Sequence, residues 1–67
     1  MITINGRARE WAGGASVADL LRQLELGAEP RGLAVAVDGA VVPRAEWSSH
    51  QVRDGAAVEV VTAVQGG

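Results

Sequence analysis

Sixty-seven residues make a single domain near the lower limit for folding without staples, because a chain this short buries only about 60% of its unfolded surface. The absence of cysteine excludes disulfides and thiolate metal clusters. Eight acidic against six basic residues, a net charge of -2, exclude the basic footprint that nucleic-acid binding needs.

Met1 to Asn5 alternates apolar and polar side chains, the period of a half-buried strand. Asn5-Gly6 predicts a type I′ hairpin turn, since both residue types tolerate positive φ, and Arg7 to Trp11 reads as the returning strand. Gly13-Gly14 breaks that strand and lacks the spacing of a phosphate-binding loop. Ser16 followed three residues later by Asp19 predicts a capping box with aspartate in the place of glutamate. Val17, Leu20, Leu21 and Leu24 then form one apolar stripe of an amphipathic helix, with Gly27 as its expected stop. Leu33, Val35 and Val37 alternate with Ala34 and Ala36, a strand whose small face is expected to lie under something bulky. Asp38-Gly39 predicts a second hairpin turn, returning through Val41-Val42 and ended by Pro43, which lacks a donor. Arg44 to His50 reads as irregular with one helical turn, and Asp54-Gly55 turns the chain into a last strand, Ala57 to Val64.

One helix lying between strands requires a crossover, which lets the last strand run parallel beside the first. The expected fold class is α+β, a β-grasp (ubiquitin-like) arrangement: a mixed sheet of about four to five strands with one main helix packed across one face. Residues 1–67 form the single domain and 64–67 a flexible C-terminal tail. No apolar run approaches the roughly 20 residues of a membrane span, and the N-terminus has no basic or apolar signal region. The expected location is the cytoplasm.

No catalytic constellation is present. His50 is the only histidine, read as an exposed loop residue, and one histidine without cysteine makes no metal site. Ser16 is a helix cap without a base partner, and the carboxylates are scattered singly. Trp11 and Trp47, the only aromatics, read as packing residues or as partner contacts. Arg44 either pairs with a partner carboxylate or braces the loop before Trp47. Val61, Ala63 and Val64 are read first as the end of a core strand, with an exposed docking patch as the alternative.

What remains is the ending, Val64-Gln65-Gly66-Gly67. A terminal glycine pair arises by chance in about half a per cent of chains at ordinary glycine usage of about 7%. Its chemistry is specific. An α-carboxylate is a poor electrophile until activated, and an ATP-dependent partner that adenylates it must admit the tail into a narrow site where a Cβ would collide with the walls. All six basic residues are arginines, so the chain offers no side-chain amine to accept an acyl group.

These residues resemble a known family. Val41-Val42-Pro43-Arg44-Ala45-Glu46-Trp47, His50, Asp54-Gly55 and Val61-Thr62-Ala63-Val64-Gln65-Gly66-Gly67 are similar to sulfur carriers of the ThiS/MoaD group. Within that group, the Val-Pro-Arg-x-x-Trp stretch favours the ThiS family. The resemblance implies a carrier and no enzyme. A ThiF-like adenylyltransferase would activate the Gly67 carboxylate, and the resulting thiocarboxylate would donate sulfur to a ThiG-like thiazole synthase. Gly67 would be the covalent carrier and Gly66 and Gln65 the access segment, with Val64, Arg44 and Trp47 as possible partner contacts. The chain would bind no cofactor or metal itself; ATP and a sulfur donor would be used by the partner. The alternatives are sulfur delivery to another pathway, molybdopterin among them, and a β-grasp interaction module without covalent chemistry.

Overall fold

The computed structural model describes residues 1–11, 13–24 and 32–62. Their elements run in the order β1 (Ile2–Ile4), β2 (Arg7–Arg9), α1 (Val17–Gln23), β3 (Leu33–Val37), β4 (Ala40–Val41), a 3-10 turn (Arg44–Glu46) and β5 (Ala57–Thr62).

Two tight turns set the hairpins. Asn5 and Gly6 take φ of 52° and 85°, and Asp38 and Gly39 take 51° and 85°, the paired positive values of the type I′ geometry. These turns join β1 to β2 and β3 to β4 as antiparallel pairs. The five strands form one sheet in the order β2-β1-β5-β3-β4. As expected, β5 runs parallel to β1 and antiparallel to β3, so the last strand lies in the middle.

The side chains of the turns also tie this centre together. The Asn5 side chain accepts from the Val60 N–H at 2.9 Å and donates to its carbonyl at 3.0 Å. Asp38 accepts from the Ala57 N–H at 2.9 Å through Oδ1, while its own N–H donates to the Ala57 carbonyl at 2.7 Å.

Helix α1 covers one face. Ser16 and Asp19 form the expected capping box. The next two donors of the first turn are also satisfied: Val17 N–H donates to the His50 carbonyl and Ala18 N–H to the Trp47 carbonyl. Segment 47–52 therefore completes the helix N-terminus that a free helix would leave open. Val17, Leu20 and Leu21 are buried against Ile2, Val35, Val37, Val52 and Val58, each such side chain contributing about 1.5–3 kcal/mol. The helix closes at Gln23, with Leu24 as its C-cap and still donating to the Leu20 carbonyl at 3.0 Å. The expected stop at Gly27 lies outside the described residues.

β2 is shorter than the alternation suggests. It ends at Arg9, and Trp11 turns into the core, where its Nε1–H donates to the Val52 carbonyl at 2.8 Å. An indole is buried at low cost only where its N–H finds an acceptor, and Val52 lies too far along the chain for the local pattern to reveal it.

Candidate functional site

β5 is the last described element and ends at Thr62, five residues before the end of the sequence. Its second half is held by β3 through Val60, Val61 and Thr62, and on the other side by the Asn5 amide. β5 is thus held on both sides up to its last described residues. Val64, Gln65, Gly66 and Gly67, expected to form the tail and the chemical site, lie outside the described residues, as does Ala63.

The sheet face opposite α1 differs from expectation. Side chains alternate along each strand, so Ile2, Ile4, Val35, Val58 and Val60 point towards the helix while their neighbours point away. Register places Thr3 beside Ala8 and Ala57, Ala36 beside Glu59 and Val41, and Ala34 beside Val61. Val61 is 60% and Val41 73% exposed, so the core reading of Val61 is overturned. Nor do Ala34 and Ala36 lie under something bulky: Ala34 is exposed and Ala36 half-buried, and no described element covers them. The signal was available, because Val61 shares the parity of exposed Glu59 while Val58 and Val60 share the other.

Arg44 and Trp47 are brought together by a local device. Pro43, at φ -60°, precedes the 3-10 turn, and Trp47 N–H donates back to the Arg44 carbonyl at 3.1 Å. The Arg44 guanidinium sits 5.7 Å from the centroid of the Trp47 ring, within cation–π range. Together with Ala18, Leu21 and Ser48 they line a shallow groove beside α1. The two differ sharply in access, since Arg44 is exposed whereas Trp47 is 5% exposed and donates from Nε1 to the Val42 carbonyl at 2.9 Å. Trp47 is therefore a core residue, and of the two only Arg44 is exposed.

The titratable groups serve the scaffold. His50 is half-buried where an exposed loop residue was expected. Its N–H donates to the Glu46 carbonyl and its carbonyl accepts from Val17, so the backbone of this residue joins the 3-10 turn to the helix. The Ser16 backbone N–H and hydroxyl hold the Asp19 carboxyl below the usual carboxylate range, and Arg22 adds to the effect. The N-terminal ammonium, hydrogen-bonded to Asp54, lowers that carboxyl likewise. Among the described residues, no group of three or more histidines and carboxylates could hold a metal ion, and no helix is long and apolar enough to cross a membrane.

A family model described as the ThiS family matches residues 2–67. The sulfur carrier protein ThiS of Escherichia coli strain K12 is 35% identical over 66 residues, spanning 98% of this chain and 97% of that protein. The crystal structure of a thiamine biosynthesis protein (ThiS) from Geobacter metallireducens superposes with a TM-score of 0.80 at 31% identity, covering 98% of this chain and 97% of that one. A solution structure of a thiamine biosynthesis protein from the same organism gives 0.77 at 29% identity, covering 98% and 86%.

Proposed function

The chain belongs to the ThiS family, and we propose that it is a sulfur carrier whose working group is the α-carboxylate of Gly67. The observation that carries this reading is the extent of the family match, which runs through residue 67 and so takes the terminal glycine pair into the family's pattern. The names of its relatives, a sulfur carrier and thiamine biosynthesis proteins, favour thiazole formation over another sulfur pathway.

The chemistry needs an enzyme to act on the chain. A ThiF-like adenylyltransferase directs a Gly67 carboxylate oxygen at the α-phosphorus of ATP, forming the acyl-adenylate and releasing pyrophosphate. A hydrosulfide equivalent from the sulfur donor then attacks the acyl carbon and expels AMP, leaving a terminal thiocarboxylate. A ThiG-like thiazole synthase takes the sulfur, and the carboxylate is restored. The chain contributes no acid, base or bound cofactor to these steps. It contributes a terminus without Cβ atoms at Gly66 and Gly67, with Gln65 and Val64 leading to them from the central strand, and a surface for the enzymes to grip.

The absence of cysteine makes the test clean. The chain is incubated with an adenylyltransferase of this type, ATP and a sulfur donor, then treated with a thiol-directed alkylating reagent and fragmented in a mass spectrometer. The expected result is one alkyl group at Gly67 in the intact chain and none after deletion of that residue. An unmodified terminus, with an enzyme that activates another carrier of the family, overturns the reading.

A further inference from the structure

β1 stops short of the end of β5, and the Asn5 side chain continues it. The Thr3 and Asn5 N–H groups donate to the Ala56 and Val58 carbonyls at 3.0 and 2.9 Å, stepping along the parallel pair of β1 and β5. The next carbonyl in that series is Val60, but the chain turns at Asn5-Gly6 and carries Arg7 into β2. The Asn5 amide takes the place of the missing peptide group, donating to the Val60 carbonyl at 3.0 Å and accepting from its N–H at 2.9 Å. Asparagine suits this position because its side chain carries both a donor and an acceptor, and half-buried Val60 has both backbone groups satisfied.

The same residue is exposed, is the chain's single asparagine and precedes a glycine. We propose that Asn5-Gly6 is a modification site, at which spontaneous deamidation releases β5 from the turn and leaves a product that cannot restore the contact. In the reaction the Gly6 backbone nitrogen, its proton taken by base, attacks Asn5 Cγ. The side-chain nitrogen leaves as ammonia, and a five-membered succinimide closes. Water then opens the ring at either carbonyl, giving aspartate or isoaspartate. Glycine in the second position leaves the attacking nitrogen unshielded by a side chain.

The contact with Val60 governs the rate. Ring closure draws Cγ onto the Gly6 nitrogen and expels the group that donates to Val60, so both hydrogen bonds break first and reaction follows local opening of the turn. The product does not close again. A carboxylate is an acceptor only, and it would meet the Val60 carbonyl with negative charge where the amide offered a donor. Isoaspartate also adds a methylene to the backbone of a turn whose φ values, 52° and 85°, match the hairpin type. Val60 stands two residues before Thr62, where β5 ends, so the lost bonds loosen the end of that strand.

For the test, the full chain is held folded in mildly alkaline buffer at physiological temperature, beside a sample unfolded in urea. Trypsin then frees Met1–Arg7, which contains Asn5-Gly6 and no glutamine. Mass spectrometry counts the conversion of amide to acid and separates aspartate from isoaspartate. Conversion at Asn5 is expected in both samples, about tenfold slower in the folded one, where two hydrogen bonds must open. Hydrogen exchange read by NMR follows the consequence. Asn5→Asp, and Asn5→Gly, which tolerates the positive φ, should each speed exchange of the Val60 amide about tenfold. The Val42 amide, which donates to the Val35 carbonyl towards the other edge of the sheet, should change less. Thermal melts of the variants establish that each is folded.

No conversion in the folded sample, over a period in which tenfold slowing would show it, overturns the modification site. Equal rates in the two samples overturn the control by Val60. Unchanged exchange of the Val60 amide in both variants overturns the release of β5. The carrier reading stands apart from all three outcomes, since its own test is read at Gly67.

Discussion

Trp47→Phe separates the packing role of this residue from a role in partner contact. The substitution keeps an aromatic ring under Arg44 but removes the Nε1–H that donates to the Val42 carbonyl at 2.9 Å. Val42 is itself 4% exposed, so its carbonyl would be left without a partner away from bulk water, at a cost of about 1–3 kcal/mol. The smaller ring leaves a void that adds about 1 kcal/mol. A chain of 67 residues has a total stability of about 3–10 kcal/mol, so a loss of about 2–4 kcal/mol is a large share of it. The melting temperature should fall by about 8–32 °C, at 4–8 °C for each kcal/mol. Urea titration followed by the fluorescence of Trp11, the remaining tryptophan, measures the loss directly, with an unchanged m-value expected. At a temperature where the variant is folded, its KM for adenylation should match wild type. A denaturation midpoint within error of wild type refutes the packing argument, and a raised KM with normal stability restores Trp47 as a contact.

Ser16→Ala removes the hydroxyl that caps the Asp19 N–H at 3.2 Å and should cost about 1 kcal/mol, seen as a melting temperature lower by about 4–8 °C. Asp19 and Asp54 both have carboxyls lowered in the folded state, the first by the Ser16 backbone N–H and the second by the N-terminal ammonium. A depressed carboxyl stabilises the fold fully above its unfolded value and loses that contribution as pH falls through the folded value. Stability should therefore be level near neutrality and decline below about pH 5. Asp19→Asn and Asp54→Asn should each start lower at pH 7 and decline less, as read from melting temperatures along a pH series.

Much of the architecture is written in local chemistry. Asn5-Gly6 and Asp38-Gly39 adopt the positive φ pairs that make these dipeptides hairpin turns. The stripe of Val17, Leu20 and Leu21 behind a Ser16–Asp19 cap becomes the one described α-helix, buried on that face. The parallel pairing of β1 and β5 follows from element order, because a helix between strands forces a crossover. What failed were judgements about layers and distant partners. Strand alternation assigns Val61 to a face with Glu59, a charge that marks the face as open, but the high average burial of valine outweighed that signal and pointed the wrong way. Trp11 and Trp47 are settled by carbonyls 41 and 5 residues away, at Val52 and Val42, and the first of these cannot be read from neighbours along the chain. The expectation placed on Gly66-Gly67 rests on composition and resemblance alone, because those residues lie outside the described ones.

The scaffold and the proposed chemistry divide their work in a way that follows from size. A domain of 67 residues has few side chains to spare from its core, and here the histidine backbone, Ser16, Asp19 and Asp54 all hold the fold together. A carrier of activated acyl groups also gains from inert side chains, since cysteine or lysine would offer a nucleophile to another activated copy, and neither is present. On the proposed reading, reactivity is confined to one terminal carboxylate, and partners are left the surface that the core does not need. Among the described residues the face of β5 opposite α1 is such surface, because Ala57, Glu59 and Val61 are exposed on it. A substitution there leaves the alternate residues, Val58 and Val60, free to pack against the core as before.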